Sequence, residues 1–88
     1  MSIVFKNYFK VLRGVDMSVF GERLKQLRIA RNLMQKDVAT DLKFSPRTYQ
    51  SYELGDREAN YENIVKLADY FEVSTDYLLG RSDNPERH

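Results

Sequence analysis

Residues Gln35 to Glu53 are QKDVATDLKFSPRTYQSYE, the run around which the rest of the chain is organised. In its first half Val38, Ala39 and Leu42 fall at i, i+1, i+4, the arrangement of a helix that buries a narrow stripe. Ala39 is small enough for a second helix to cross there at close range. Lys43-Phe44 makes the turn, and Ser45-Pro46 is a strong helix start. Serine at the N-cap accepts from an orphan amide, and proline at the next position loses nothing by lacking its N–H. Phe44 and Tyr49 have the spacing of a hydrophobic staple across that start.

The second helix presents two unlike sides. Tyr49 and Tyr52, three apart, form the buried one, while Arg47, Gln50, Ser51 and Leu54 follow i, i+3, i+4, i+7 on the opposite face. That outer stripe carries donors and acceptors suited to base edges: arginine pairs bidentately with guanine, glutamine with adenine, and serine with several bases. Two helices joined by a short turn, the second exposed and polar, describe a helix-turn-helix.

Outward from the motif, the pattern predicts three more helices. Upstream, Val19 to Arg31 forms a helix with Phe20, Leu24 and Leu27 inward, Ser18 as N-cap, and Arg23, Lys25, Arg28 and Arg31 on a solvated face. Downstream, Gly55 is placed as the C′ glycine of the second motif helix and Asn60 as the cap of the next. Ile64, Leu67, Ala68 and Phe71 then repeat as a core stripe. Ser74 caps a last short helix that Leu78-Leu79 tie to the core and Gly80 ends. Residues 81–88, RSDNPERH, are polar and read as a tail. Residues 1–16 have Phe5, Tyr8, Phe9 and Leu12 on one helical face and Lys6, Lys10 and Arg13 on another. They read as an upstream extension that packs weakly or frays, in preference to a dimerisation or membrane-surface helix.

Composition narrows the function classes. At 88 residues the chain is one small domain, and 42% apolar with 31% charged content suits a globular protein. It has no cysteine, so no disulfide or thiolate metal site, which suits a reducing cytoplasm. The single histidine is the last residue, His88, so no imidazole cluster forms; no metal or cofactor is expected. No run approaches the ~20 apolar residues of a membrane span. The carboxylates fall on exposed helical faces and the four glycines are scattered, with no phosphate loop, so an enzyme is not expected. Charge is unevenly placed: residues 1–57 hold eleven Lys/Arg against six Asp/Glu, net +5, and residues 58–88 hold three against seven, net −4. The half that contains the polar reading helix is the basic one.

Residues 20–80 resemble the lambda-repressor-like (Cro/Xre-type) helix-turn-helix family. The resemblance rests on FGERLKQLR, the run Leu33-Met34-Gln35-Lys36-Asp37-Val38-Ala39, SPRTYQSYELG, and IVKLADYFEVSTDYLLG, in that order. It implies an all-α, compact five-helix DNA-binding domain over residues 17–80 with the motif at helices 2–3, preceded by one short extra helix if residues 1–16 fold. It further implies a cytoplasmic transcriptional regulator, a repressor of phage or mobile-element type, that binds a double-stranded DNA operator as a homodimer with no small-molecule ligand. By the same resemblance Ser45, Pro46, Arg47 and Ser51 approach bases, with Gln50 beside them. Gln35, Thr48 and Arg57 touch the DNA backbone, joined by Lys36 and Lys43. Arg28 pairs with Glu53 as a structural brace. Four positions depart from the family pattern. Met34 stands where Ser or Thr usually caps, Lys43 replaces the usual turn glycine, Leu54 stands for a common asparagine, and Asp56 for a common basic residue. The last two remove backbone contacts. Asp56 and the low net charge of +1 favour the rival reading, a protein-interaction module of the same fold acting as antitoxin or adaptor.

Overall fold

The computed structural model describes residues 17–87, and the expectation for residues 1–16 lies outside them. Five helices follow in order: α1 (Met17–Ala30), α2 (Gln35–Leu42), α3 (Pro46–Leu54), α4 (Tyr61–Phe71) and α5 (Thr75–Leu78). Among the described residues there is no strand.

One core joins all five. Phe20 and Leu24 of α1, Val38 and Ala39 of α2, Tyr49 and Tyr52 of α3, and Leu67, Ala68 and Phe71 of α4 are buried, with Leu78 of α5 beneath them. Ile64, Leu27 and Leu42, expected in the core, are partly buried against it. Each fully buried large apolar side chain contributes about 1.5–3 kcal/mol of transfer free energy. Tyr52 is the junction. Phe20 and Phe44 both meet its ring edge-on with centroids 5.9 Å away, and its hydroxyl accepts from Asn63 Nδ2 at 2.9 Å. The ring contact of Phe44 is thus with Tyr52, one turn beyond the staple partner Tyr49 that spacing suggests.

α1 lies close against α3 because position 21 is glycine. A Cβ there would stand 2.6 Å from the Tyr52 carbonyl oxygen and nearer still to that of Glu53. Both are backbone atoms and cannot swing away.

Helices α1 to α4 end in the same way. Residues Asn32, Lys43, Gly55 and Glu72 take positive φ, from +57° to +77°. The following amide returns to a carbonyl five residues back: Leu33 to Arg28, Phe44 to Ala39, Asp56 to Ser51, and Val73 to Ala68. This αL closure satisfies carbonyls that the helix leaves unpaired. Glycine occupies it once; the other three side chains bear a Cβ penalty. Lys43 therefore marks an ordinary αL turn with a side chain attached.

Three sequence expectations change. Ser18 lies inside α1 and does not cap it, since the helix already includes Met17. Arg23 and Arg31 are not simply solvated. Arg31 Nη2 donates to the Phe71 carbonyl at 2.8 Å. Arg23 stacks 4.1 Å over the Tyr77 ring and bonds the carbonyls of Tyr77 and Ser82. Residues 81–87, read as a tail, form a strap: Asp83 pairs with Arg23 at 2.9 Å, the Pro85 carbonyl accepts from Ser74 N at 3.0 Å, and Arg87 Nη1 donates to the Ala68 carbonyl at 3.1 Å. The strap stays exposed to solvent, yet it is tied down because the ends of α4 and α5 offer backbone carbonyls and an amide for it to bond.

Candidate nucleic-acid interface

α3 starts where its sequence predicts. Ser45 has extended backbone and its Oγ accepts from Thr48 N at 3.1 Å, with Pro46 in the first helical position. The same Oγ donates to Thr48 Oγ1 at 2.8 Å, and Arg57 Nη1 reaches back from the next loop to Thr48 Oγ1 at 3.4 Å. Two donors on its lone pairs leave the Thr48 hydroxyl its own proton to give. Ser45, expected at a base, and Thr48 and Arg57, expected at the DNA backbone, thus meet at the amino end of α3. The helix dipole adds partial positive charge there.

Above this end runs the outer face. Ser45, Pro46, Arg47 and Gln50 are exposed and Ser51 is half-buried, whereas Tyr49 and Tyr52 on the inner face are buried. Leu54 continues the stripe and is 68% exposed, an apolar residue at the rim. Asp56 beyond it is exposed as well.

Under the face lies an ionic brace. Glu53 Oε2 accepts from Arg28 Nε at 2.6 Å and Oε1 from Arg28 Nη2 at 3.0 Å, a bidentate pair. Arg28 Nη1 also donates to the Leu33 carbonyl at 2.9 Å, so the guanidinium ties α1, the α1–α2 turn and α3 together. The Glu53 side chain is only 4% exposed. Burial alone would raise its pKa, but the hydrogen bonds from Arg28 first, and then that from Gln35, outweigh it and hold the carboxyl below the usual range. The hydrogen bond to Glu53 raises the Arg28 pKa in turn, against an opposing effect of burial. Tyr49 presents its buried hydroxyl to this pair without reaching hydrogen-bonding geometry with any described residue. Burial and then the neighbouring carboxylate push its pKa far up, so it stays neutral.

The residues expected at the DNA backbone divide into three kinds. Thr48 and Arg57 join the α3 amino end, as described. Lys36 and Lys43 are exposed. Gln35, the first residue of α2, does not stand alone: its Nε2 donates to Glu53 Oε1 at 3.0 Å. The missing cap at Met34 is half replaced, because the Asp37 carboxylate accepts from Met34 N at 2.8 Å. Sequence reading passed over Lys66. It sits on the exposed side of α4 with its ammonium 5.9 Å over the Phe44 ring, adding a cation beside the turn of the motif. Its i+2 spacing from Ile64 marked it as outward-facing, but nothing local showed that it would meet Phe44. Among the described residues no group of His, Cys, Asp and Glu side chains is arranged to hold a metal ion. No helix there is long and apolar enough to cross a membrane.

Comparison with known proteins agrees with this geometry. A family model described as a helix-turn-helix domain matches residues 21–83. The chain is 36% identical over 66 residues to the uncharacterised HTH-type transcriptional regulator YqaE of Bacillus subtilis, covering 75% of this chain and 57% of that protein. It is 42% identical over 60 residues to the cryptic phage CTXphi transcriptional repressor RstR of Vibrio cholerae, covering 68% and 54%. The HTH-type transcriptional regulator ImmR of Bacillus subtilis is 35% identical over 63 residues, covering 72% and 50%. The chain therefore spans little more than half the length of these relatives. With the capped α3, its polar outer face and the Arg28–Glu53 brace in place, the chain belongs to the Cro/Xre-type, lambda-repressor-like family of helix-turn-helix domains.

Proposed function

We infer that this chain binds double-stranded DNA sequence-specifically as a transcriptional regulator, a repressor of phage or mobile-element type, with α3 in the major groove. The observation that carries this is the outer face of α3. Arg47, Gln50, Ser45 and Ser51 are offered to solvent on a helix whose inner side is locked by two buried tyrosines and a buried ion pair. Rigid mounting of hydrogen-bonding side chains is what base readout requires. The Thr48–Arg57 cluster at the amino end of the same helix, with Lys36, Lys43 and Gln35 at the turn and on α2, supplies phosphate contacts that set register. The phage and regulator names of RstR and ImmR accord with this reading. Two copies acting as a homodimer would read half-sites about 34–36 Å apart, or a multiple of that.

Selection from random duplexes followed by titration against salt tests the proposal. Affinity should fall linearly with log salt, with a slope of about −0.9 for each phosphate neutralised. Arg47→Ala should weaken operator binding roughly 5- to 150-fold and relax choice at one base pair. Asp56, exposed where the family commonly has a basic residue, and the low net charge of +1 favour a second reading, a protein-interaction module of the same fold. Binding that is weak and insensitive to salt, with no enriched sequence, would establish that alternative and overturn the first.

A further inference from the structure

Gln35 opens α2, where unpaired backbone amides gather and where the DNA-binding reading expects a phosphate. A glutamine carboxamide has two ends. Its nitrogen carries two donors and its oxygen only accepts, so an unrestrained side chain presents the wrong end to an anion as readily as the right one. Here the choice is made. Gln35 Nε2 lies 3.0 Å from Glu53 Oε1, and an ionised carboxylate can only accept, so the nitrogen must face it. Glu53 in turn cannot swing away, because Arg28 holds both of its oxygens at 2.6 and 3.0 Å inside the domain. One N–H of Gln35 is committed to Glu53, and the second remains.

We propose that Glu53 is a positioning residue for the DNA backbone contact: its carboxylate fixes the Gln35 amide so that the second N–H is presented to a phosphate oxygen. The Arg28–Glu53 pair then belongs to the binding machinery through Gln35, besides bracing the fold. The proposal rests on the DNA-binding reading. Its signature differs from that of a cationic contact. Gln35 is neutral, so losing its orientation releases no fewer counterions, and the salt slope stays as it was while affinity falls. Freeing one side-chain rotamer that had been set in advance corresponds to a loss of about 2- to 12-fold.

A double-mutant cycle on the selected operator, using the full chain at a temperature where circular dichroism shows every variant folded, tests this. Gln35→Ala and Glu53→Gln should each weaken binding several-fold, equally on operator and mismatched duplexes and with unchanged salt slope. The double variant should bind no worse than Gln35→Ala. Additive losses, or full affinity in Glu53→Gln beside a weakened Gln35→Ala, would overturn the proposal. The wild-type protein supplies a second readout that holds even if Glu53→Gln fails to fold. In its NMR spectrum one Gln35 side-chain amide proton should keep its carboxylate-bonded shift as DNA is added while the other moves. Collapse of the bonded shift on DNA addition would refute the proposal. A wild-type chain that binds no duplex overturns the DNA reading, and this inference with it. A binding wild type with additive losses overturns the inference alone.

Discussion

Replacing Arg28 by alanine removes three hydrogen bonds at once and leaves Glu53 charged in a site where its side chain is 4% exposed. Removing one partner of a buried pair costs about 3–5 kcal/mol, because the survivor has lost both water and its counter-charge. The Arg28 side chain is itself 13% exposed, so water can partly relieve the vacancy, and the lower end, about 3 kcal/mol, is expected. For a domain this small that is a large share of a total of about 5–15 kcal/mol. It lowers the melting temperature by roughly 12 °C or more. The pH dependence is the sharper part. In the wild type the folded-state pKa of Glu53 lies below its ordinary value near 4.5. Its stabilisation is therefore full above that value and is lost as pH falls through the folded pKa. In Arg28→Ala, burial, which raises the pKa, is opposed by the Gln35 hydrogen bond but no longer by the guanidinium, so acid protonates Glu53 in the folded state more readily and relieves the strain. The two proteins should thus differ most at neutral pH and converge on acidification. Urea unfolding at pH 7 and near pH 4 measures this. A gap below about 1 kcal/mol at pH 7, or one that does not shrink at the lower pH, would refute the account. Removing both partners, as Arg28→Met with Glu53→Leu, should recover most of the loss.

Three further changes have defined directions. Lys43→Gly removes a Cβ from a residue at φ +60° and should raise stability by about 1 kcal/mol in thermal melts, while DNA affinity falls because an exposed cation is lost. Gly21→Ala gains helix propensity of up to about 1 kcal/mol, yet it drives a Cβ into the Tyr52 and Glu53 carbonyls. Net destabilisation, of about 1–3 kcal/mol in urea unfolding, is expected. Tyr49→Phe deletes a buried hydroxyl outside hydrogen-bonding geometry, so urea midpoints should stay put or rise slightly; a loss above about 1 kcal/mol would mean that the hydroxyl bonds Glu53.

Features written in neighbouring residues were legible in advance. Ser45, Asn60 and Ser74 cap the helices their positions predict, each accepting from the amide three residues on. Arg28–Glu53 was reached by resemblance, and the structure gives it bidentate geometry. Features made by side chains reaching far along the chain were not legible. Arg23 looks like any solvent-facing arginine, since its partners are carbonyls of Tyr77 and Ser82 more than fifty residues away, and backbone carbonyls have no letter in the sequence. For the same reason the strap read as a tail. Of the interface, the residue types on α3 followed from helical spacing. The grouping of Ser45, Thr48 and Arg57, and the capture of Gln35 by Glu53, depend on loop paths that spacing does not encode.

That strap has a bearing on the order in which the domain assembles. The bonds from Arg23 to Tyr77, Ser82 and Asp83 bridge separations of 54 to 60 residues, the widest spans among the side-chain hydrogen bonds described for this chain. Such closures cost more chain entropy until the intervening helices have shortened the path between their ends. The motif, by contrast, closes over the short spans of two adjacent helices and one turn. On loop-closure grounds α2, the turn and α3 are expected to form early, and the strap late, as a latch between α1 and the carboxyl-terminal end of the described residues. Its loosening would release the periphery before it disturbs the outer face of α3.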